Sequence, residues 1–214
     1  MKSLKDKRIL ITAGPTWVAV DWVRVLSNIA SGETGLLLAK AAQAAGARVT
    51  LLLGPVGEVK PISGVKIRRF NYFDELAALL QRELSGASYA AVIHSAAVSD
   101  YQPKRVFKGK LGSGKKNLTI TFSATPQLIN RIKTISPRAL LVGFKLEFGL
   151  SREKLKSEAL RLLKLARADW IVANSFSGQH YSALVVDEYG KVLTRFNSKA
   201  KLAQGIIRII KEHL

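Results

Sequence analysis

Short, continuous apolar runs separated by segments of helical length recur along this chain, and that alternation restricts the fold more than any other feature. Arg8-Ile-Leu-Ile-Thr-Ala13 opens the series and stops at Gly14-Pro15, and Arg48-Val-Thr-Leu-Leu-Leu53 stops at Gly54-Pro55. Runs that are apolar without alternation suit strands covered on both faces, as in a parallel sheet. Val65 to Phe70, Tyr89 to His94, Leu118 to Phe122, Ala139 to Phe144 and Trp170 to Ala173 read as further strands. Leu36 to Ala45, Phe73 to Leu84, Pro126 to Lys133 and Arg152 to Arg167 read as helices, the first with a capping start at Ser31-Gly-Glu-Thr-Gly35 and a glycine stop at Gly46. Thr16 to Ile29 reads as irregular. Ala183 to Asp187 and Lys191 to Thr194 flank Glu188-Tyr-Gly190, which predicts an antiparallel hairpin before a closing helix from Lys199 to His213. The expected fold is therefore α/β: a Rossmann-like, doubly wound, mostly parallel sheet with a C-terminal antiparallel hairpin.

A chain of 214 residues, 48% of them hydrophobic, suits one sizeable core, so a single domain over residues 1–214 is expected. No stretch approaches the roughly 20 apolar residues of a membrane span, and no secretory apolar region opens the chain, which predicts a soluble, cytoplasmic protein. With no cysteine, disulfides, thiolate metal sites and a cysteine nucleophile are excluded. His94, His180 and His213 are too far apart in sequence to suggest a metal cluster, so a metal is expected to arrive with a ligand. The formal charge of +19 favours anionic partners, whether nucleotides, phosphorylated metabolites or nucleic acid, although Lys and Arg on solvated helix faces account for charge of this kind as well.

In open α/β sheets ligands bind beyond the carboxyl ends of the strands, and three segments at such ends carry suitable chemistry. The first runs from Ala13-Gly14-Pro15-Thr16 through Asp21, Arg24 and Asn28 to Ser31-Gly32. Small residues there let the backbone approach a phosphate, and a helix start offers free N–H groups, though an ordinary strand-to-helix connection looks the same. The second is His94-Ser95-Ala96-Ala-Val-Ser-Asp100, where small side chains leave room for a ring and the acid can accept from a base or a ribose hydroxyl, or can simply cap the next turn. The third, Lys104-Arg-Val-Phe-Lys108-Gly-Lys110-Leu-Gly-Ser-Gly114-Lys-Lys116, has the composition of a basic flap over polyphosphate, or of a solvated hairpin tip.

In order, these segments resemble the phosphopantothenate cysteine ligase family, which in many bacteria is fused to a flavin-dependent decarboxylase half; a stand-alone ligase without that half is expected here. The resemblance covers nearly the whole chain: Ile11-Thr-Ala-Gly-Pro-Thr16, Asp21 with Val23-Arg24, Ser27-Asn28, Ser31-Gly32 with Gly35, Ala96-Ala-Val-Ser-Asp-Tyr101, Lys110, Val142-Gly-Phe144 with Glu147, and Ile171-Val-Ala-Asn174. It implies a homodimer whose substrate site is completed across the interface, and a reaction in two steps. A triphosphate carrying Mg²⁺, CTP ahead of ATP, activates the carboxylate of 4'-phosphopantothenate as an acyl nucleotidylate, and L-cysteine then displaces the nucleotide. By motif position Lys110 is the catalytic lysine of the flap, Asn28 holds the acid and the acyl intermediate, and Arg24 is a phosphate partner. Gly14, Ser31, Gly32, His94, Ser95, Ala96, Asp100, Pro126, Gln127, Leu128, Ile129 and Phe144 complete the implied nucleotide pocket.

The chain departs from the family pattern at several places. Pro15 replaces a glycine, which removes an N–H and fixes φ. Glu33 stands where lysine is common, Leu162 and Ala166 occupy the offsets of two lysines before Asp169, and Ser175 replaces an aspartate. The flap has Lys115-Lys116 in place of a compact lysine cluster, and Lys108, Lys115 and Lys116 are the alternatives to Lys110. A short-chain dehydrogenase shares the fold, but the first loop has a single glycine and no tyrosine is followed four residues later by lysine. A polynucleotide binder is suggested by charge alone and lacks a recognition module. A family member that binds nucleotide without turnover is the third alternative, prompted by Pro15 and Glu33.

Overall fold

The computed structural model describes residues 3–114, 116–178 and 180–214. Its centre is β1 (Arg8–Ala13), which runs parallel to β4 (Arg48–Leu53) on one side and to β6 (Ala91–His94) on the other. β5 (Val65–Arg69) extends the sheet beyond β4. Beyond β6 lie β9 (Leu140–Phe148) and β10 (Trp170–Ser177), both parallel, then β11 (His180–Asp187) and β12 (Val192–Phe196), both antiparallel. The resulting eight-stranded order is β12-β11-β10-β9-β6-β1-β4-β5. Chain progression thus reverses at the β1/β6 pair, the position at which doubly wound sheets open a crevice.

Helices cover both faces because the inner strands are buried on both. α1 (Glu33–Ala44) and α5 (Lys199–His213) close one face over Ile9, Ile11, Ala13, Val49, Leu51, Ile93, Val172 and Val185. α2 (Phe73–Gly86), α3 (Ile129–Ile135) and α4 (Arg152–Ala166) close the other over Leu10, Leu52, Val92, Leu141, Ile171 and Val186. Alternate residues of one strand therefore feed two separate cores, which is the physical content of the unbroken apolar runs.

Several expectations need correction. The segment read as irregular contains an antiparallel pair, β2 (Trp17–Ala19) with β3 (Val25–Ser27). Three-residue strands give no periodic signal, and Val25 and Leu26 face solvent. The strand expected from Leu118 to Phe122 is absent from the central sheet. Only Phe122 joins a strand, β8 (Phe122–Ala124), which pairs with β7 (Tyr101–Pro103) in a separate ribbon. The Thr-Ile-Thr alternation there meets no core, so the pattern has nothing to bury. α3 starts at Ile129 rather than Pro126, leaving Pro126 and Gln127 in the connection. β9 and β10 run well past Phe144 and Ala173, where the sequence turns half-polar and the apolar-run criterion stops. Their extension is an aromatic ladder, with Phe148 stacked on Phe176 at 6.0 Å and Tyr181 edge-on to Phe176 at 5.2 Å. The Glu188–Gly190 turn lies between β11 and β12 as expected, and α5 has the bounds read from the sequence.

The contact between α1 and β1 depends on one hydrogen atom. A Cβ built on Gly35 would lie 2.2 Å from the Ala13 Cβ, and neither atom can rotate away, being fixed to its own backbone. Gly35→Ala is therefore expected to push α1 off β1 and to destabilise the fold by about 1–3 kcal/mol. Gly57→Ala, where a Cβ meets nothing within 4 Å, is expected to stay within about 0.5 kcal/mol. Urea unfolding of the two variants checks this, and equal midpoints would mean that the helix accommodates the methyl.

Candidate functional site

The loops that leave β1 and β6 are zipped together above the crevice. The Ala97 N–H donates to the Gly14 carbonyl (2.9 Å), and the Thr16 N–H donates to the Ala97 carbonyl (3.2 Å). These two bonds flank Pro15, which forms a parallel bridge with Ala97 and is not asked for an N–H. The proline that replaces a glycine is accommodated without a lost ladder bond. Thr16, fully buried, accepts from the Ser99 N–H through its hydroxyl (2.9 Å) and carries the zipper one step further.

Beside this zipper, Gly14 (φ +80°) and Gly32 (φ +71°) sit in the left-handed region and lean on one another. A Cβ on Gly32 would lie 3.5 Å from the Gly14 nitrogen, and a Cβ on either glycine would lie 3.1 Å from Val56. The N-cap of α1 is Gly32 itself, with no side-chain cap, and the Ser31 hydroxyl accepts from the Glu33 N–H at 3.4 Å. The serine cap expected from the sequence is thus displaced by a glycine. The helix start is left with backbone donors, as an anion site requires. Glu33 does not leave a bare negative charge there, since Lys199 at the start of α5 pairs with it at 2.6 Å.

Asn28, just past β3, reaches across the crevice. Its Nδ2 donates to the carbonyls of Ala97 (3.1 Å) and Val98 (3.3 Å), which fixes the amide orientation and leaves Oδ1 as the open acceptor. The turn between β2 and β3 is organised by Asp21, whose side chain is wholly buried. Oδ1 accepts from the N–H groups of Val23 and Arg24, both at 2.8 Å. Oδ2 takes the Arg24 guanidinium and, from the flap, the Leu111 N–H at 2.9 Å. Burial pushes this carboxyl up, but the N–H groups of Leu111 and Val23 and the Arg24 side chain outweigh it and hold the group down at about 2.

The flap is attached at further points. The Phe107 N–H donates to the Val20 carbonyl (3.0 Å), the Trp22 N–H to the Gly109 carbonyl (3.2 Å), and Arg24 Nη1 to the Leu111 carbonyl (3.2 Å). Lys110 is exposed and stands between two residues that are both bonded to the hairpin. Lys108 and Lys116 are exposed too, while Lys115 lies outside the described residues. Arg24, expected as a phosphate partner, has one guanidinium nitrogen committed to Asp21 and to the flap.

The remaining predicted residues divide by burial. Ser95 and Ala96 line the crevice, Ser95 donating to the Thr12 carbonyl (2.7 Å) and the Ala96 N–H donating to the Thr12 hydroxyl (3.1 Å). Asp100 is exposed, and its carbonyl accepts from the Thr125 N–H (2.9 Å), which draws Pro126 and Gln127 to the same loop. Leu128 and Ile129 give their side chains to the core and can offer a ligand backbone only. Phe144 is half-buried against the α1/α5 core. Of the helical offsets that depart from the family, Ala166 is buried and Leu162 packs on the core, while Arg161 is paired with Glu158 (3.0 Å). Lys145, next to Phe144 and paired with Glu147 at 2.9 Å, is a cation that the sequence reading did not single out. Asp21 was quoted as part of a motif but given no role, because its partner in the flap, the Leu111 N–H, lies 90 residues along the chain.

The His94 ring is also interior. Its Nδ1 shares a 3.0 Å hydrogen bond with the Thr12 hydroxyl, and burial lowers its pKa to about 4. A histidine whose folded pKa lies below the unfolded value of 6.5 binds its proton more readily when unfolded. Stability is then complete above about pH 6.5 and falls as the pH drops toward 4. Urea unfolding is expected to show a loss of roughly 2 kcal/mol between pH 6.5 and pH 5. His94→Gln is expected to flatten that dependence, and an unchanged slope would contradict the buried neutral imidazole.

Comparison with known proteins gives a family and a fold. The family model for the DNA/pantothenate metabolism flavoprotein C-terminal domain matches residues 4–214. A coenzyme A biosynthesis bifunctional protein of Thermococcus kodakarensis is 35% identical over 210 residues, covering 96% of this chain and 51% of its own length. The chain spans about half the length of the curated relatives it matches. Two solved structures share the fold. The DNA/pantothenate metabolism flavoprotein from Streptococcus pneumoniae has a TM-score of 0.87 at 24% identity, covering 97% of this chain and 100% of that one. The C-terminal domain of a coenzyme A biosynthesis bifunctional protein has a TM-score of 0.80 at 26% identity, covering 100% of this chain and 98% of that one. No helix among the described residues is long and apolar enough to cross a membrane.

Proposed function

Because the chain belongs to the DNA/pantothenate metabolism flavoprotein C-terminal domain family, we propose that it is a cytoplasmic phosphopantothenate cysteine ligase of coenzyme A synthesis. The observation that carries this reading is the attachment of the flap to the β2/β3 hairpin on both sides of Lys110, while Asn28, just past that hairpin, is bonded to the loop that leaves β6. A ligation that proceeds through an acyl nucleotidylate needs no covalent nucleophile, only positioning and stabilisation of negative charge. This site offers backbone donors, a tethered cation and an amide acceptor, and its histidine is buried.

In the first step a carboxylate oxygen of 4'-phosphopantothenate attacks the α-phosphorus of CTP or ATP, and pyrophosphate leaves. Lys110 supplies positive charge where negative charge accumulates, and the N-terminus of α1 with the Gly14 and Gly32 backbone is the second anion-attracting element. In this reading Asp100 and the adjoining Pro126-Gln127 segment meet base and ribose. In the second step the cysteine amine attacks the acyl carbon, loses a proton, and the nucleoside monophosphate leaves. Asn28 offers Oδ1 to the acid or its acyl intermediate. No cluster of three or more His, Asp or Glu suited to a metal occurs among the described residues. Mg²⁺ in this reading comes on the triphosphate, where it offsets phosphate charge.

A second copy of the chain is the proposed partner. Trp22 (76% exposed), Val23, Val25, Leu26 and Ile29 are exposed on and beside the β2/β3 hairpin, and a concentration of apolar side chains in water marks an interaction surface. The same patch on two copies makes a self-complementary contact beside Asn28. Light scattering at micromolar concentration is expected to give a dimer, and Trp22→Glu a monomer of low activity. An active monomer would contradict this arrangement.

The activity itself is tested by incubating the protein with each triphosphate, 4'-phosphopantothenate and cysteine, and quantifying intermediate and product by mass spectrometry. Pyrophosphate release is expected only when the acid is present. Lys110→Gln is expected to slow activation by on the order of 100-fold to 1,000-fold, with no nucleotidylate accumulating. Asn28→Asp turns a carboxylate toward two carbonyls and the bound acid, so activation is expected to persist while transfer to cysteine fails. No product with any triphosphate would sink the ligase reading, and near wild-type turnover of Lys110→Gln would move the catalytic role to Lys108, Lys115 or Lys116.

A further inference from the structure

Asp21 is a charged side chain with no solvent exposure, in a hairpin whose other large side chains are mostly exposed. A carboxylate costs several kcal/mol to bury unless its lone pairs are all engaged. Here they are, and the two oxygens are engaged differently. Oδ1 serves the hairpin's own turn through the N–H groups of Val23 and Arg24. Oδ2 serves the flap through the Leu111 N–H and carries the Arg24 guanidinium, whose Nη1 in turn donates to the Leu111 carbonyl. Leu111 is thereby gripped at both its N–H and its carbonyl by the Asp21–Arg24 pair. On the other side of Lys110, the Gly109 carbonyl is held by the Trp22 N–H.

We infer that Asp21 is the positioning residue of the flap: through Oδ2 and Arg24 it fixes the backbone on the C-terminal side of Lys110 and so sets where that lysine stands relative to Asn28. The consequence for chemistry rests on the ligase reading; the structural content does not. The flap has glycines at 109, 112 and 114, two of them at positive φ with open space around them, and so has little rigidity of its own. A long flexible lysine on such a loop would spread its charge over many positions. Pinning the residues on either side of it removes that freedom before substrate arrives, which is how a charge-stabilising group avoids reorganisation during reaction. Arg24 is used here as a strut, and its remaining nitrogens stay available to a substrate anion.

The asymmetry of the two oxygens supplies the test. Asp21→Asn keeps an acceptor for the turn at Oδ1 but places an NH₂ opposite the Leu111 N–H and the guanidinium, so it detaches the flap and leaves the hairpin turn intact. Amide hydrogen exchange on the whole chain is expected to show Phe107, Trp22 and Leu111 protected in the wild-type protein, and Gly112 and Gly114 exchanging freely. In Asp21→Asn, Leu111 is expected to lose protection by about 10-fold or more, while Val23, Arg24 and core amides such as Ile11 and Val92 keep theirs. Activation is expected to slow toward the rate of Lys110→Gln, and the double variant is expected to be no slower than Lys110→Gln alone, because both changes act through one group.

An unprotected Leu111 amide in the wild-type protein would overturn the inference, and this measurement stands even if Asp21→Asn fails to fold. Multiplying defects in the double variant would also overturn it, since Asp21 would then act independently of Lys110. Protection as expected, with no product from any triphosphate, would uphold the positioning role and sink the ligase reading instead.

Discussion

The parallel pairing of β1 with β6, carried past the ends of both strands by the Gly14–Thr16 and Ala97 bonds, is the constraint on which the site depends. At this pair chain progression reverses, so helices leave to opposite faces and a crevice opens between them. Every candidate group is placed by reference to it. α1 starts where Gly32 can lean on Gly14, and Gly35 lets the helix lie flat on Ala13. Asn28 hangs from the Ala97 and Val98 carbonyls, and Thr125 ties the α3 approach to Ser99 (2.5 Å) and to the Asp100 carbonyl. Because β1 and β6 are buried on both faces, this framework belongs to the most stable part of the fold.

Onto that framework the chain adds exposed pieces that are ordered by polar bonds rather than by burial. The β2/β3 hairpin and the flap have little core of their own, and the Asp21 carboxylate with its backbone and guanidinium donors holds them together. Charge is handled in the same way elsewhere in the site. Glu33, beside the anion-attracting helix start, is offset by Lys199, whose ammonium also lies 5.7 Å from the Phe176 ring centroid. The large positive charge of the chain is therefore partly structural near the site, and the remainder is spread over strands, loops and helices, where it attracts anions without selecting among them.

How much of this could be read from the sequence follows from the range of each interaction. Strands buried on both faces announce themselves by composition, so the parallel sheet, its crevice and the closing helix were legible, as was the hairpin around Glu188–Gly190. The β2/β3 pair was not, because three residues are too few for a period. Leu118–Phe122 misled because alternation reports propensity and not the presence of a core to bury against. The departures at Pro15 and Glu33 looked adverse in sequence. Both are absorbed by partners, Ala97 and Lys199, that no local pattern reveals. The role of Asp21 was hidden for the same reason, since its flap partner Leu111 lies 90 residues away. Family motifs did point to Asn28 and Lys110, whose segments a physical reading alone left ambiguous.

The central claim is that the chain joins its acid to cysteine through an acyl nucleotidylate, with the flap lysine acting at the α-phosphorus. The most direct measurement uses 4'-phosphopantothenate labelled with heavy oxygen in its carboxylate, and follows the label by mass spectrometry through a complete reaction with triphosphate and cysteine. Attack of a carboxylate oxygen on the α-phosphorus leaves that oxygen on the nucleotide when the amine displaces it. The account predicts one heavy oxygen in the nucleoside monophosphate and unlabelled pyrophosphate. Label appearing in inorganic phosphate, with nucleoside diphosphate as the other product, would contradict it and place activation at the γ-phosphorus.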